Sequence, residues 1–138
     1  LMQIMPTTAK DESRSLKMET TGSDIKDPGN NILLGASYFA RLSRIFSGEL
    51  PRAIAAYNAG MMPVTRWNTL YADDWVEWIE EIPYPETREY VRSVLENHEM
   101  YKMLSGEKSG PPISVLMSEG PMPVEKLASV PGHKKSDM

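Results

Sequence analysis

Asp27-Pro28-Gly29-Asn30-Asn31-Ile32-Leu33-Leu34-Gly35-Ala36-Ser37-Tyr38-Phe39-Ala40-Arg41-Leu42-Ser43-Arg44-Ile45-Phe46-Ser47-Gly48 is the stretch with the clearest period in the chain. From Ile32 onward, Leu34, Tyr38, Phe39, Leu42, Ile45 and Phe46 recur at three- and four-residue steps, the spacing of one helix face. Asp27 can cap the helix. Pro28 suits its first turn, where the missing N–H has no intrahelical partner, and Gly48 ends it. This amphipathic helix sets the class of the whole N-terminal part.

Working outward, the same punctuation repeats. Pro51 opens a short helix carrying Ala53, Ile54, Ala56 and Tyr57, which stops at Gly60. A further short helix is expected from Val64 to Leu70, and another from Asp73 or Asp74 to Glu81. Pro83 and Pro85 interrupt the chain, since each lacks an amide donor and restricts the residue before it. The last helix is expected from about Glu86 to Leu104, with Tyr90, Val91, Val94, Leu95, His98 and Tyr101 on one face. Thr7 to Lys17 is expected to form the first. No strand-like alternation extends beyond a few residues, so residues 1–104 read as an all-α domain of about six short helices.

Beyond Ser105 the composition changes. Residues 105–138 are rich in Pro, Gly and Ser and contain no aromatic residue. Such a segment buries too little apolar surface to offset the entropy of ordering it, and reads as a flexible tail or linker. Ile113, Val115, Leu116 and Met117 suit one short clinging strand at most.

Bulk properties narrow the function classes. A chain of 138 residues suits one domain with a modest core. The net charge of −4 argues against a nucleic-acid surface, which needs a basic stripe. It leaves a glycan ligand open, because sugars are held by hydrogen bonds and stacking. There is no cysteine, hence no disulfide framework or thiolate metal site. No apolar run is long enough for a transmembrane segment. His98 and His133 are the two histidines and form no ligand pair, so no metal or cofactor is expected. No nucleophile elbow or glycine-rich phosphate loop is present. Nothing in the sequence fixes the oligomeric state.

The candidate chemistry is polar and small-scale. In Ala55-Ala56-Tyr57-Asn58-Ala59-Gly60, Asn58 presents an amide near a helix end and Tyr57 an apolar ring with a polar tip. Gly60 permits the left-handed turn that ends a helix. Gln3 and Met5, two apart before Pro6, can face the same way in an extended segment. Gln supplies a donor and an acceptor, and Met a soft pocket wall. The acids Glu77, Glu80, Glu81 and Glu86 read first as a solvated face, with Glu86 suited to a helix N-terminus. Trp67, Trp75 and Trp78 read as packing anchors before sugar-stacking platforms.

Three motifs taken together carry more than any one alone: Leu1-Met2-Gln3-Ile4-Met5-Pro6, Ala55 to Gly60, and Ile82-Pro83-Tyr84-Pro85-Glu86-Thr87-Arg88-Glu89-Tyr90-Val91. In this order and spacing they resemble the soluble lytic murein transglycosylase family, its SLT domain. Pro6-Thr7-Thr8-Ala9-Lys10, Asn31-Ile32, Leu34-Gly35 and Arg66-Trp67 agree as well. The resemblance runs from Leu1 to about Tyr101 and implies a lysozyme-like, goose-type helical fold with a groove for peptidoglycan glycan strands. It implies cleavage of the β-1,4 bond between N-acetylmuramic acid and N-acetylglucosamine. One glutamate acts first as acid and then as base, leaving a 1,6-anhydromuramoyl end. Carried over by position, Gln3 and Met5 would line the groove. Tyr57 would hydrogen-bond near the acid, Asn58 would hold the N-acetyl group or the oxocarbenium-like state, and Glu80 would face the substrate. Met61-Met62-Pro63 departs from the family's usual turn.

The family's catalytic glutamate precedes the Leu-Met-Gln stretch, so the resemblance places no catalytic residue within this chain, and the chain alone is expected to be inactive. The family implies a bacterial envelope location, periplasmic or secreted. The alternative is a non-catalytic peptidoglycan-binding or envelope-interaction module. A muramidase on the same fold is the nearer rival, told apart by reducing rather than anhydro ends.

Overall fold

Proline marks the helix starts. Pro6, Pro28, Pro51 and Pro85 each fall in a first turn, where their fixed φ is already helical and no bond is lost. The computed structural model describes residues 2–18, 24–67, 72–106 and 120–122. Six α-helices follow: α1 (Pro6–Ser15), α2 (Pro28–Ile45), α3 (Leu50–Ala59), α4 (Met61–Arg66), α5 (Trp75–Glu80) and α6 (Pro85–Ser105). A 3-10 turn at Asp24–Lys26 leads into α2. Among the described residues there is no strand, as expected. The expected end of the fourth helix at Leu70 and the possible strand at Ile113–Met117 lie outside the described residues.

The chain forms two compact units, Leu1–Leu42 and Ser43–Met138. In the first, Asp27 caps α2 as its position suggests: its Oδ1 accepts from the Asn30 amide at 2.9 Å. Asn31 fastens two strings of backbone. Its Oδ1 accepts from the Met2 amide at 2.8 Å and its Nδ2 donates to the Ile25 carbonyl at 3.0 Å. The Met2 side chain lies so close over Gly35 that a Cβ there would meet it at 2.6 Å. Glu12 of α1 is buried, and its carboxylate accepts from Ser37 Oγ at 2.8 Å and Arg41 Nε at 2.6 Å. A buried carboxylate without such partners would cost several kcal/mol, so the pair fixes α1 against α2.

The second unit is built around α3, whose residues Pro51 to Ala56 are all buried. A helix covered on every side must be narrow, and the alanines at 53, 55 and 56 let its neighbours approach closely. It packs on α4 and α6, and α5 packs on α6. Trp75, Trp78, Ile79, Ile82, Val91 and Leu95 complete the core, and Trp67 is buried as well. The tryptophans are therefore packing anchors, as read. Trp75 and Trp78 meet edge to face at 5.5 Å between centroids.

Two elements differ from expectation. α4 starts at Met61 rather than Val64, because Pro63 is absorbed in its first turn, where no amide donor is required. α6 keeps a buried stripe only to Leu95. His98 and Tyr101, expected on the same face, are exposed, as are Met100, Met103 and Leu104. Between α5 and α6 lies a groove of about 590 Å³ lined by Val76, Ile79, Leu95, Met100 and Met103, with Glu80 and Arg92.

Candidate glycan-binding residues

Gly60 sets the geometry around Tyr57 and Asn58. It caps the end of α3 and the start of α4 at once, with φ 89° and ψ 159°. The expectation was a left-handed helix-ending turn. The observed pair lies instead in the extended, positive-φ region that only glycine populates freely. A single residue thus joins the two helices, and Tyr57 and Asn58 sit in the last turn of α3.

Asn58 is half-buried, and its Oδ1 accepts from Thr87 Oγ1 of α6 at 2.7 Å. Thr87 is itself buried. That bond fixes the rotation of the amide and turns its N–H pair away from Thr87. Tyr57 is half-buried on the same turn. Glu80 ends α5 with its side chain half exposed, bonded to Arg92 of α6. Arg92 also pairs with Glu89 at 2.5 Å. α6 therefore braces both Asn58 and Glu80, from Thr87 and Arg92.

Gln3 and Met5 belong to the first unit. Both are exposed, and Met5 caps the N-terminus of α1. Gln3 has φ 51°, uncommon for a residue with a side chain. The plain extended geometry expected here is interrupted at Gln3, so strand alternation does not decide which way the two side chains point. The neighbouring Met2 is held by Asn31 and by the space over Gly35, which is what pins this segment.

Thr87, Asn31 and Arg92 were not singled out from sequence as site supports. Thr87 lies inside the Ile82 to Val91 motif, but nothing in spacing shows that it meets a residue 29 positions away. Glu49 and Arg52 were missed entirely. Arg52 is buried, bonded to Glu49, and stacked 5.6 Å from the Trp75 ring centroid and 5.9 Å from that of Trp78. Burial pushes Glu49 above the ordinary carboxylate value, against the downward pull of the Met122 amide and of Arg52. Burial equally lowers Arg52, and Glu49 opposes it. Glu12 is thus buried and Glu49 largely so, and each is committed to an arginine. Among the described residues no cluster of His, Cys, Asp or Glu is placed to hold a metal. No described helix is long and apolar enough to cross a membrane.

Residues 1–74 match the family described as Transglycosylase SLT domain. The chain belongs to that family. Residues 81–109 further match the soluble lytic transglycosylase helical domain. Relatives of this SLT chain include the soluble lytic murein transglycosylase of Escherichia coli K12, 37% identical over 112 residues. That of Salmonella typhimurium is 38% identical over 116 residues. Each alignment takes in 78% of this chain but 17% of the relative, so the chain spans about a sixth of their length. Among solved structures, the lytic transglycosylase Slt of Pseudomonas aeruginosa, an inactive mutant, superposes with a TM-score of 0.74 at 37% identity. The match covers 81% of this chain and 18% of that one. The 70 kDa soluble lytic transglycosylase of Escherichia coli gives 0.74 at 34% identity, over 84% and 19%. The all-α fold inferred from helix periodicity and the SLT resemblance is the fold of the matched part of these proteins.

Proposed function

We propose that this SLT chain serves a peptidoglycan lytic transglycosylase of the bacterial envelope, and that Gln3, Met5, Tyr57, Asn58 and Glu80 contact the glycan strand. The observation that carries the reading is the family match over residues 1–74, which takes in four of those five residues. The relatives' own names, soluble lytic murein transglycosylase, support murein as the polymer.

The chemistry follows from the bond. A glutamic acid donates its proton to the glycosidic oxygen between N-acetylmuramic acid and N-acetylglucosamine, and the C1–O bond breaks. The resulting carboxylate takes the proton of the muramoyl C6 hydroxyl, whose oxygen closes onto C1 as the 1,6-anhydro bridge. Glu12 and Glu49 are unsuited to this role, since each is bound to an arginine. On the resemblance alone, we assign the acid to the stretch that precedes the Leu-Met-Gln motif in the family. Asn58, with its amide rotation set by Thr87, offers its N–H pair to an N-acetyl carbonyl. Tyr57 supplies a ring and a hydroxyl beside it. Gln3, held at an unfavourable φ, has the kind of local strain found at ligand sites.

The commitment of Glu12 and Glu49 to arginines also favours a second reading, a glycan-binding module without catalysis. Incubation with purified sacculi separates the two. The chain itself is expected to co-sediment with sacculi, and Asn58→Ala to weaken that binding. The gene's whole product is expected to release muropeptides with 1,6-anhydromuramoyl ends. Reducing ends would make it a hydrolase, binding without release a binding module, and no binding by either would overturn the glycan reading.

A further inference from the structure

The segment Gly120–Met122 lies far along the chain yet is held in a built site. The Met122 amide donates to Glu49 Oε1 at 2.6 Å, and Arg52 Nη1 donates to the Met122 carbonyl at 2.9 Å. Glu49 and Arg52 are bonded to each other, so the two side chains read one residue's backbone as a neighbouring strand would. Arg52 is 2% exposed and lies against Trp75 and Trp78 of α5. Gly120 sits on the carbonyl of Asp73, just before α5. A Cβ at that position would fall 2.4 Å from the oxygen. Three residues thus join the first turn of α3 to the start of α5.

The sequence is suited to this. Pro121 and Pro123 have no N–H, so within Pro121-Met122-Pro123 the amide donor is Met122's, and it goes to Glu49. The prolines bias Met122 toward extended backbone and reduce the entropy lost on docking. Without the segment, the largely buried Glu49–Arg52 pair would lose two hydrogen bonds.

We infer that Gly120–Met122 is an intramolecular latch, bound as a backbone ligand by Glu49 and Arg52 and packed against the Asp73 carbonyl, and that its occupancy sets the stiffness of α3 and α5. Those helices carry Tyr57, Asn58 and Glu80, so the latch governs the proposed glycan contacts from the chain's C-terminal region. The stiffness rests on the contacts alone; the effect on glycan rests on the reading above.

The test uses the full chain and hydrogen exchange. Met122→Pro deletes the donated amide together with the side chain, Gly120→Val forces the segment off Asp73, and Met122→Leu, which keeps the amide, is the control. Loss of these bonds is expected to speed amide exchange in 50–59 and 75–80 by about fivefold to tenfold, the effect of one or two hydrogen bonds on local opening. Met122→Leu is expected to match the parent, and sacculus binding to fall with the two opening variants only. If either opening variant fails to fold, Pro121→Gly, which loosens the segment without touching the core, is expected to give a smaller change in the same peptides. Unchanged exchange in α3 and α5 would overturn the latch. If the parent chain does not bind sacculi, the glycan reading fails and the exchange result alone decides the latch.

Discussion

Gly60 and Asn58, two residues apart, do opposite things: one frees the backbone and the other is held. At Gly60 any side chain meets a backbone conformation with φ 89° and ψ 159°. Gly60→Ala is expected to lower stability by about 1–3 kcal/mol, read as a shift of the urea midpoint at constant slope. The Asn58–Thr87 bond makes a second expectation. Thr87→Val removes the donor and is expected to cost about 1 kcal/mol and to reduce sacculus binding, whereas Thr87→Ser restores both. The Asn-Ala-Gly motif was legible in the sequence; its partner was not, because periodicity reports faces of one helix and says nothing about which residue of another helix lies opposite. The same blindness hid the Glu12–Arg41 bond, 29 residues apart.

At the scale of elements, the prolines and the helix period were sufficient for α2, α3 and α6, whose starts follow from covalent limits on the backbone, while α5 starts behind the Asp74 cap. α4 was misplaced by three residues because proline is compatible with a first turn as well as with a break. The burial of α3 was hidden for another reason. The polar residues of α3, Arg52 above all, suggest a solvent-facing side, and only its surroundings show that Arg52 is covered as well. Its first turn also carries a pH dependence. Glu49, raised above the ordinary 4.5 by burial, binds its proton more tightly folded than unfolded, so ionising it opposes folding. Relative to Glu49→Gln, the parent chain is therefore expected to lose stability as pH climbs from about 4.5 through the folded value, with a constant gap above it. Thermal midpoints of both proteins across that range check the sign. A gap that widens toward lower pH instead would contradict it.

Taken as a whole, the molecule sets its charges aside from its proposed glycan contacts. Four of the five residues assigned to the glycan are uncharged, and the fifth, Glu80, is already paired with Arg92. Sacculus binding is therefore expected to change by less than about twofold between low and moderate salt, since screening acts on charges and not on neutral hydrogen bonds. Co-sedimentation in a salt series tests this, and a steep decline would assign the affinity to ion pairs. The helical class was readable over residues 1–104, but the division at Leu42 and Ser43 falls inside a continuous helix and leaves no mark in composition.

The turn at Gly60 has one more consequence, in the language of codons. Every single-base missense change of a glycine codon installs a residue with a Cβ, and no such residue occupies φ 89°, ψ 159° without strain. For this position the genetic code offers no gentle neighbour. Each point substitution would disturb the joint between α3 and α4 and, with it, the turn that presents Asn58.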